Sequence, residues 1–451
     1  MGVSGVATAK VLKGLGAEVT VVDEADTPSL RAIASSLRRT GVMTKLGTDA
    51  FVSLNSVDLI VVSPGVPTDS GVIRQAESSG IEVLSEIEIA ASLTDIPMIA
   101  VTGTNGKTTV VTLIGEMLSA AHIDHAVAGN IGRPLIEVAA SEKKAKVLVV
   151  EVSSFQLEHI KRFRPHIGII LNISEDHLDR HRNMEGYLAL KMRLFENQTK
   201  RDFAVINKDD KRLVKAADIK NTQVIKYSRL QAVDPGVYIQ DGMIKIKMSQ
   251  SGEERVVGPV KDIRLRGSHN VENVLAATAA ASLYGLEPEP MMKAVRGFGG
   301  LKHRMEYITG IDGVEYYDDS KATNPDAALR AIQSFDRPIV LIAGGRNKDM
   351  DFSTLTKGMA GKVKAAVLIG EASDEIGSAI SAENKDINIY NALSMDQAVA
   401  KSQQVAGSGD IVILSPACAS FDMFSGYEER GRAFAKAVNH IERKRKAAVN
   451  D

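Results

Sequence analysis

The stretch PMIAVTGTNGKTTVVTLI, residues 97–114, decides how this chain is read. The apolar run up to Thr102 reads as a strand, TGTNG as a turn, and the residues from Lys107 onward as a helix. The common phosphate-cradling loop is spelled G-x-x-x-x-G-K-[ST], and here Val101 takes the place of its first glycine. The parts that bind an anion are still present. Gly103 and Gly106 let backbone N–H groups approach, Lys107 adds a point charge, and the helix start adds its dipole. Thr108 can offer a hydroxyl to a magnesium ion. The competing reading, a plain glycine turn with an exposed lysine, is disfavoured by the apolar strand before it and the helix after it.

Outward from this stretch, apolar runs of strand length alternate with helical patterns, which argues for parallel sheets covered by helices on both faces. The runs fall into three blocks. The first holds AEVTVVD, VDLIVVSPG and IEVLSE; the second IPMIAVTG, AKVLVVEVSS and HIGIILNIS; the third DRPIVLIAGG, VKAAVLIG and DIVILSPA. Between 203 and 266 the pattern changes to short alternating pieces such as GMIKIKMS, which predicts an antiparallel insertion. Boundaries are expected near 89–97 and near 297–300, where glycines interrupt two helical stretches. In the first block, MGVSGVATAKVLKGLGAEVTVVD resembles the turn and helix after the first strand of a nucleotide-binding fold, with Asp23 closing the next strand. The strand that should precede this turn is expected to be missing, because the chain is truncated, starts late or fills that edge with another element.

Composition narrows the class. The 451 residues suit about three domains. A formal net charge of -1, with 44% hydrophobic and 25% charged residues, gives no general attraction to nucleic acid or anionic membranes. No apolar run approaches the roughly 18 residues that span a bilayer and no leader pattern opens the chain, so a cytoplasmic protein is expected. Cys418 is the single cysteine, which rules out a disulfide framework or thiolate metal cluster within one chain and reads as a small buried filler.

Other residues bear chemistry. Glu151 follows the apolar run KVLVV, and a carboxylate at a strand's carboxyl end suits Mg²⁺; a solvated strand-end glutamate is the plainer reading. His177, in NISEDHLDRH, reads by itself as a surface histidine in a capping cluster. In GYLALKMRLFEN, Tyr187, Leu188, Lys191, Leu194 and Phe195 share one helical face, so Lys191 sits inside an apolar stripe. Such a lysine either snorkels to water or, desolvated and neutral, reacts with CO₂ to give a carbamate able to hold a metal.

Together, TGTNGKTT, EVSSFQLE, ISEDHLDRH, LALKMRLFEN, GSHNVENVLAA, LKHRMEY, YYDDSKATNPDA and LSPACASFDMF resemble the Mur ligases, and the resemblance covers essentially the whole chain. In that family the shortened loop is the normal form of an ATP site. The resemblance implies an α/β fold of three domains. Residues 1–92 form a Rossmann-like UDP-sugar-binding domain lacking its first strand. Residues 93–297 form a central ligase domain, a P-loop ATPase-like parallel sheet with the small antiparallel insertion, and residues 298–451 a Rossmann-like amino-acid-binding domain. The implied reaction phosphorylates a carboxylate from ATP and lets an amine displace the phosphate. Within the family the match is to members adding D-glutamate to UDP-N-acetylmuramoyl-L-alanine; the absence of a D-N-P-R signature speaks against those adding lysine or a diamino acid.

The same resemblance implies roles for single residues. Lys107, Glu151, His177 and Lys191 are expected to be catalytic. Gly103, Thr104, Asn105, Gly106, Lys107, Thr108, Thr109, Asn270, Asn273, Arg304 and Asp319 are expected around ATP. Two Mg²⁺ ions are implied, one on Thr108 and Glu151, the other on His177 and carbamylated Lys191. The UDP-linked substrate is expected at Ser4, Gly5, Asp23, Ser63, Gly65, Asn130, Ser153, Gln156 and His177. D-Glutamate carries two carboxylates and is expected among Lys321, Thr323, Lys348, Ser420, Phe421 and Tyr427. Neither nucleic acid nor membrane is implied as a partner, and a monomer is expected.

Overall fold

A strand covered on both faces shows no polar side, and Met98–Thr102, Val147–Glu151 and Ile167–Ile170 are buried at every position. In the computed structural model, which describes residues 1–47, 54–68, 70–141, 144–176, 178–181, 183–216, 219–249 and 252–450, these strands lie within a nine-stranded sheet. Its order is Arg255–Pro259, Met243–Lys247, Gly236–Gln240, Gln223–Ser228, Phe203–Asn207, Ile167–Ile170, Met98–Thr102, Val147–Glu151, His125–Gly129. Pairing is parallel from His125–Gly129 as far as Gly236–Gln240. Only the last two ladders are antiparallel. The 203–266 stretch therefore extends the main sheet, and its antiparallel character begins at 236, where Asp241 (φ 53°) and Gly242 (φ 72°) provide the two left-handed positions of a tight hairpin.

Two units make up the described chain. The first comprises Met1–Ile173, Glu185–Val260 and Asn273–Val295; the second comprises Ser174–Met184, Lys261–Glu272 and Arg296–Asp451. The first unit also holds the N-terminal block, where Thr20–Asp23 pairs in parallel with Met43–Leu46, and Leu59–Val62 with Glu82–Ser85. No ladder joins these two pairs among the described residues. Two buried carboxylates on the helix Glu86–Ser92 fasten the block to later parts of the same unit. Glu86 accepts the Ile136 N–H at 2.6 Å, and Glu88 accepts those of Lys161, Arg162 and Phe163 at 3.0, 2.8 and 2.7 Å.

The second unit is built on six strands in the order Glu306–Ile311, Val314–Asp318, Ile411–Leu414, Ile339–Gly344, Val363–Ile369, Asn388–Asn391, parallel except for the first pair. Side chains alternate across it with period two. Ile339, Leu341 and Ala343 enter one apolar cluster, with Phe335 and Phe352, while Val340 and Ile342 enter another, with Tyr316 and Phe434. Cys418 is fully buried in the first of these, and burial pushes its thiol up to about 12, as suits a filler. Among the described residues no helix is long and apolar enough to cross a membrane.

Candidate active site

The strand Met98–Thr102 has Val147–Glu151 on one side and Ile167–Ile170 on the other. The chain runs from Met98–Thr102 to His125–Gly129 on one side and from its neighbour Ile167–Ile170 to Phe203–Asn207 on the other, so the carboxyl ends of these two adjacent strands lie at the switch point where α/β proteins hold ligands. The loop there ends at Gly106, the N-cap of the helix Lys107–Ala120, with φ 89°. A Cβ at that position would overlap Asn273 Oδ1. Glycine is thus required twice, by backbone angle and by the asparagine packed against it.

The loop is braced from below. Asn172, just past the strand Ile167–Ile170, accepts the Asn105 N–H at 2.8 Å and donates to the Asn105 carbonyl at 3.0 Å. Its own carbonyl accepts the Thr104 N–H. Lys107 folds back so that its ammonium donates to the carbonyls of Gly103 and Thr104, at 2.8 and 2.9 Å. Lys191 reaches the same loop from the helix Met184–Met192 and donates to the Gly103 carbonyl at 3.0 Å. It is 1% exposed and its Nζ lies 4.5 Å from the centre of the Tyr187 ring. This lysine does not snorkel; Tyr187, Leu194 and Phe195 are buried with it, although the α-helix ends at Met192 and the last two lie in the 3₁₀ turn Arg193–Phe195, so the expected stripe is not one continuous helical face.

Glu151 stands opposite Val101 in the ladder. It is 2% exposed, which disposes of the solvated reading. One oxygen accepts from the Asn130 side chain at 2.9 Å. The other, Oε2, is buried and has no hydrogen-bond partner among the described residues. A buried carboxylate oxygen without a donor costs a few kcal/mol, unless a cation occupies the space before it. The donor is hard and anionic, so it fits Mg²⁺. Gln156, in the short turn Phe155–Leu157 after the same strand, accepts with its Oε1 from the Ser153 N–H and hydroxyl at 2.9 and 3.2 Å. His177 lies outside the described residues.

In the N-terminal block, Ser4 and Gly5 lie in the first turn of the helix Val3–Gly14, and a Cβ on Gly5 would come within 2.9 Å of Ser63 Oγ, so Gly5 and Ser63 are neighbours. Asp23 pairs with the Met1 ammonium.

The second unit groups the remaining residues. Asp319 is buried; Ser415 donates to it at 2.8 Å and the Met305 N–H at 3.2 Å. Burial pushes its carboxyl up to about 7, against the Ser415 hydrogen bond and the Arg304 charge. Lys321 donates to the Tyr427 hydroxyl at 3.0 Å, and Lys348 lies 3.9 Å from Asp176. Ser420 is buried at 2% exposure whereas Phe421 is 66% exposed. One residue that motif reading missed holds these loops together. Arg430 is 1% exposed and donates to the carbonyls of Ser320, Cys418, Ala419 and Gly344 at 2.8, 3.0, 3.3 and 3.4 Å. Asn172 was also missed, although an asparagine closing an apolar strand at the carboxyl edge is a signal that could have found it.

A glycine loop held open at the head of a parallel sheet, beside a buried acid with a spare oxygen, is the architecture of an α/β phosphate-binding protein. Family models agree in more detail: the Mur ligase MurD-like N-terminal domain matches residues 1–85, the Mur ligase middle domain 101–281, and the Mur ligase glutamate ligase domain 303–418. The UDP-N-acetylmuramoylalanine–D-glutamate ligase of Pelotomaculum thermopropionicum is 44% identical over 437 residues, covering 97% of this chain and 95% of that protein. The one from Caldanaerobacter subterraneus is 41% identical over 444 residues, covering 98% and 97%. Among solved structures, the MurF ligase from Thermotoga maritima in complex with ADP shares the fold, with a TM-score of 0.63 at 15% identity over 94% of this chain and 96% of that one. The chain belongs to the Mur ligase family.

Proposed function

We propose that this chain is an ATP-dependent ligase that adds D-glutamate to UDP-N-acetylmuramoyl-L-alanine in peptidoglycan precursor synthesis, releasing ADP and phosphate. The observation that carries the reading is likeness to ligases of that name over nearly the whole length, 44% identical across 97% of the chain. The shape of the loop and the spare Glu151 oxygen support it.

A bare carboxylate has no usable leaving group, so it is first phosphorylated to an acyl phosphate, which the amine then attacks. The N–H groups of the loop from Gly103 to Thr109 and the Lys107 ammonium hold the terminal phosphates of ATP. Thr108 and Glu151 hold one Mg²⁺; His177 and Lys191, as its carbamate, hold a second. When bound, these ions offset the charge gathering between two anions. Asn270, Asn273, Arg304 and Asp319 complete the nucleotide's surroundings. Ser4, Gly5, Asp23, Ser63, Gly65, Asn130, Ser153 and Gln156 bind the UDP-linked substrate. Lys321, Thr323, Lys348, Ser420, Phe421 and Tyr427 bind D-glutamate. The division 1–92, 93–297 and 298–451 assigns one substrate to each part, and a cytoplasmic monomer goes with this reading.

Phosphate release assayed across acceptors and amino acids tests the assignment. Release is expected to be greatest with UDP-N-acetylmuramoyl-L-alanine and D-glutamate; greatest release with UDP-N-acetylmuramate and L-alanine would overturn it.

A further inference from the structure

Two residues flanking Arg304 have left-handed backbones without being glycine: His303 at φ 66° and Met305 at φ 49°. Such conformations persist only where the surroundings over-determine them. Around His303 they do. Its N–H donates to Glu306 at 2.8 Å, and its carbonyl accepts the Lys321 N–H at 3.1 Å. The product of these constraints is the placement of one imidazole. His303 Nδ1 meets Asp318 Oδ2 at 2.7 Å, and Asp318, 1% exposed, accepts the Ser320 N–H with its other oxygen at 2.8 Å. Gly431 of the helix Tyr427–Asn450 lies over the pair, and a Cβ there would overlap both His303 Nδ1 and Asp318 Oδ2.

A buried carboxylate on Nδ1 fixes the tautomer: Nδ1 carries the hydrogen and Nε2 keeps a lone pair. The ring also stands edge-on to Tyr427 at 6.1 Å, and Tyr427 accepts the Lys321 hydrogen bond at 3.0 Å. The oriented base thus adjoins two residues assigned above to D-glutamate. His303, Glu306 and Asp318 place ligating atoms within 4.8 Å of one another. A direct hydrogen bond already joins two of them, so we read an oriented base here and not a cation cage.

We propose that His303, oriented by Asp318, is the proton acceptor for the incoming D-glutamate amine; the inference rests on the functional reading above. The amine arrives as an ammonium, which has no lone pair. It gives one proton to His303 Nε2. The freed pair forms the C–N bond to the acyl carbon, the C–O bond to phosphate breaks, and the second proton leaves on the departing hydrogen phosphate. The imidazolium then returns its proton to solvent. The charged and titratable groups around the ring are Asp318 and Glu306 from the hairpin, Lys321 from the following loop, Tyr427 from the terminal helix, and Arg430, whose charge acts on Asp318.

The test compares the full-length protein with His303→Gln and Asp318→Asn. Near neutral pH, His303→Gln is expected to slow D-glutamate-dependent amide formation by roughly 10²- to 10⁴-fold. Acyl phosphate formed from ATP and the UDP-linked acid, trapped by borohydride, should stay within about twofold of wild type. Capture of that acyl phosphate by hydroxylamine, which is uncharged at neutral pH and needs no base, should be equal in both. The deficit should shrink as pH rises and the amine deprotonates unaided. Asp318→Asn should show the same pattern more weakly. A pH-independent deficit, a change confined to the KM for D-glutamate, or loss of acyl phosphate formation would overturn the inference. A wild-type protein that forms no acyl phosphate would sink the functional reading itself, and the inference with it.

Discussion

The Lys107 ammonium donates to two loop carbonyls, at 2.8 and 2.9 Å. An incoming phosphate exchanges these neutral partners for a charged one, a stronger hydrogen bond. Lys107→Ala is expected to slow ADP release by roughly 10²- to 10³-fold, about 3 to 4 kcal/mol of barrier; a loss under about threefold would show the charge is not catalytic. Lys191 is tested by its chemistry. If it works as a carbamate, depleting bicarbonate at alkaline pH lowers turnover and restoring it recovers the rate; unchanged turnover counts against the carbamate. Glu86 gives a pH prediction. Burial pushes its carboxyl from 4.5 up to about 7, against hydrogen bonds from Ile136 and Gln156. The folded state therefore keeps a proton that the unfolded chain releases. That contribution, about 3 kcal/mol, is fully present below pH 4.5 and is lost as pH rises through about 7. Glu86→Gln should flatten this part of the slope in urea-unfolding stability measured across that range, and an unaltered slope would refute the account.

At the scale of elements, Glu88 joins a helix to a turn through one carboxylate and three backbone donors. Glu88→Ala strands those donors and is expected to cost about 3 kcal/mol by urea unfolding; under about 1 kcal/mol would mean that water replaces the carboxylate. The elements also explain what could be read beforehand. Val147–Glu151, Ile167–Ile170 and Ile339–Gly344 are buried throughout, so their apolar runs are unbroken and plain in the sequence. The strands that escaped reading include Met43–Leu46, His125–Gly129, Glu306–Ile311 and Asn388–Asn391, and each is an edge of its sheet. An edge strand packs against one neighbour and keeps polar residues, as MTKL and NIYN do. Val314–Asp318, an inner strand, also escaped reading, although the dipeptide Asp312-Gly313 before it, with φ values of 52° and 79°, suits a tight turn.

At the scale of the molecule, the chain leaves one unit for the other at 173, 184, 260, 272 and 295. The glycine loop ending at Gly106 could be read beforehand because one short spacing carries it. Asn172, Glu86 and Arg430 escaped because each acts on main chain distant in sequence, which no spacing encodes. Ligand binding to the folded state should be visible globally. Mg-ATP at about a hundred times its Kd is expected to add about 2.7 kcal/mol to the state that binds it and to raise the melting temperature; Lys107→Ala should lose most of that rise, and an equal rise in the variant would place the nucleotide elsewhere. A last consequence is practical. Because Cys418 is sealed inside the second unit and its thiol is held near 12, little thiolate is present at neutral pH. Maleimide dyes should therefore ignore the native chain, so that engineered surface cysteines can carry donor and acceptor fluorophores without first removing the natural one.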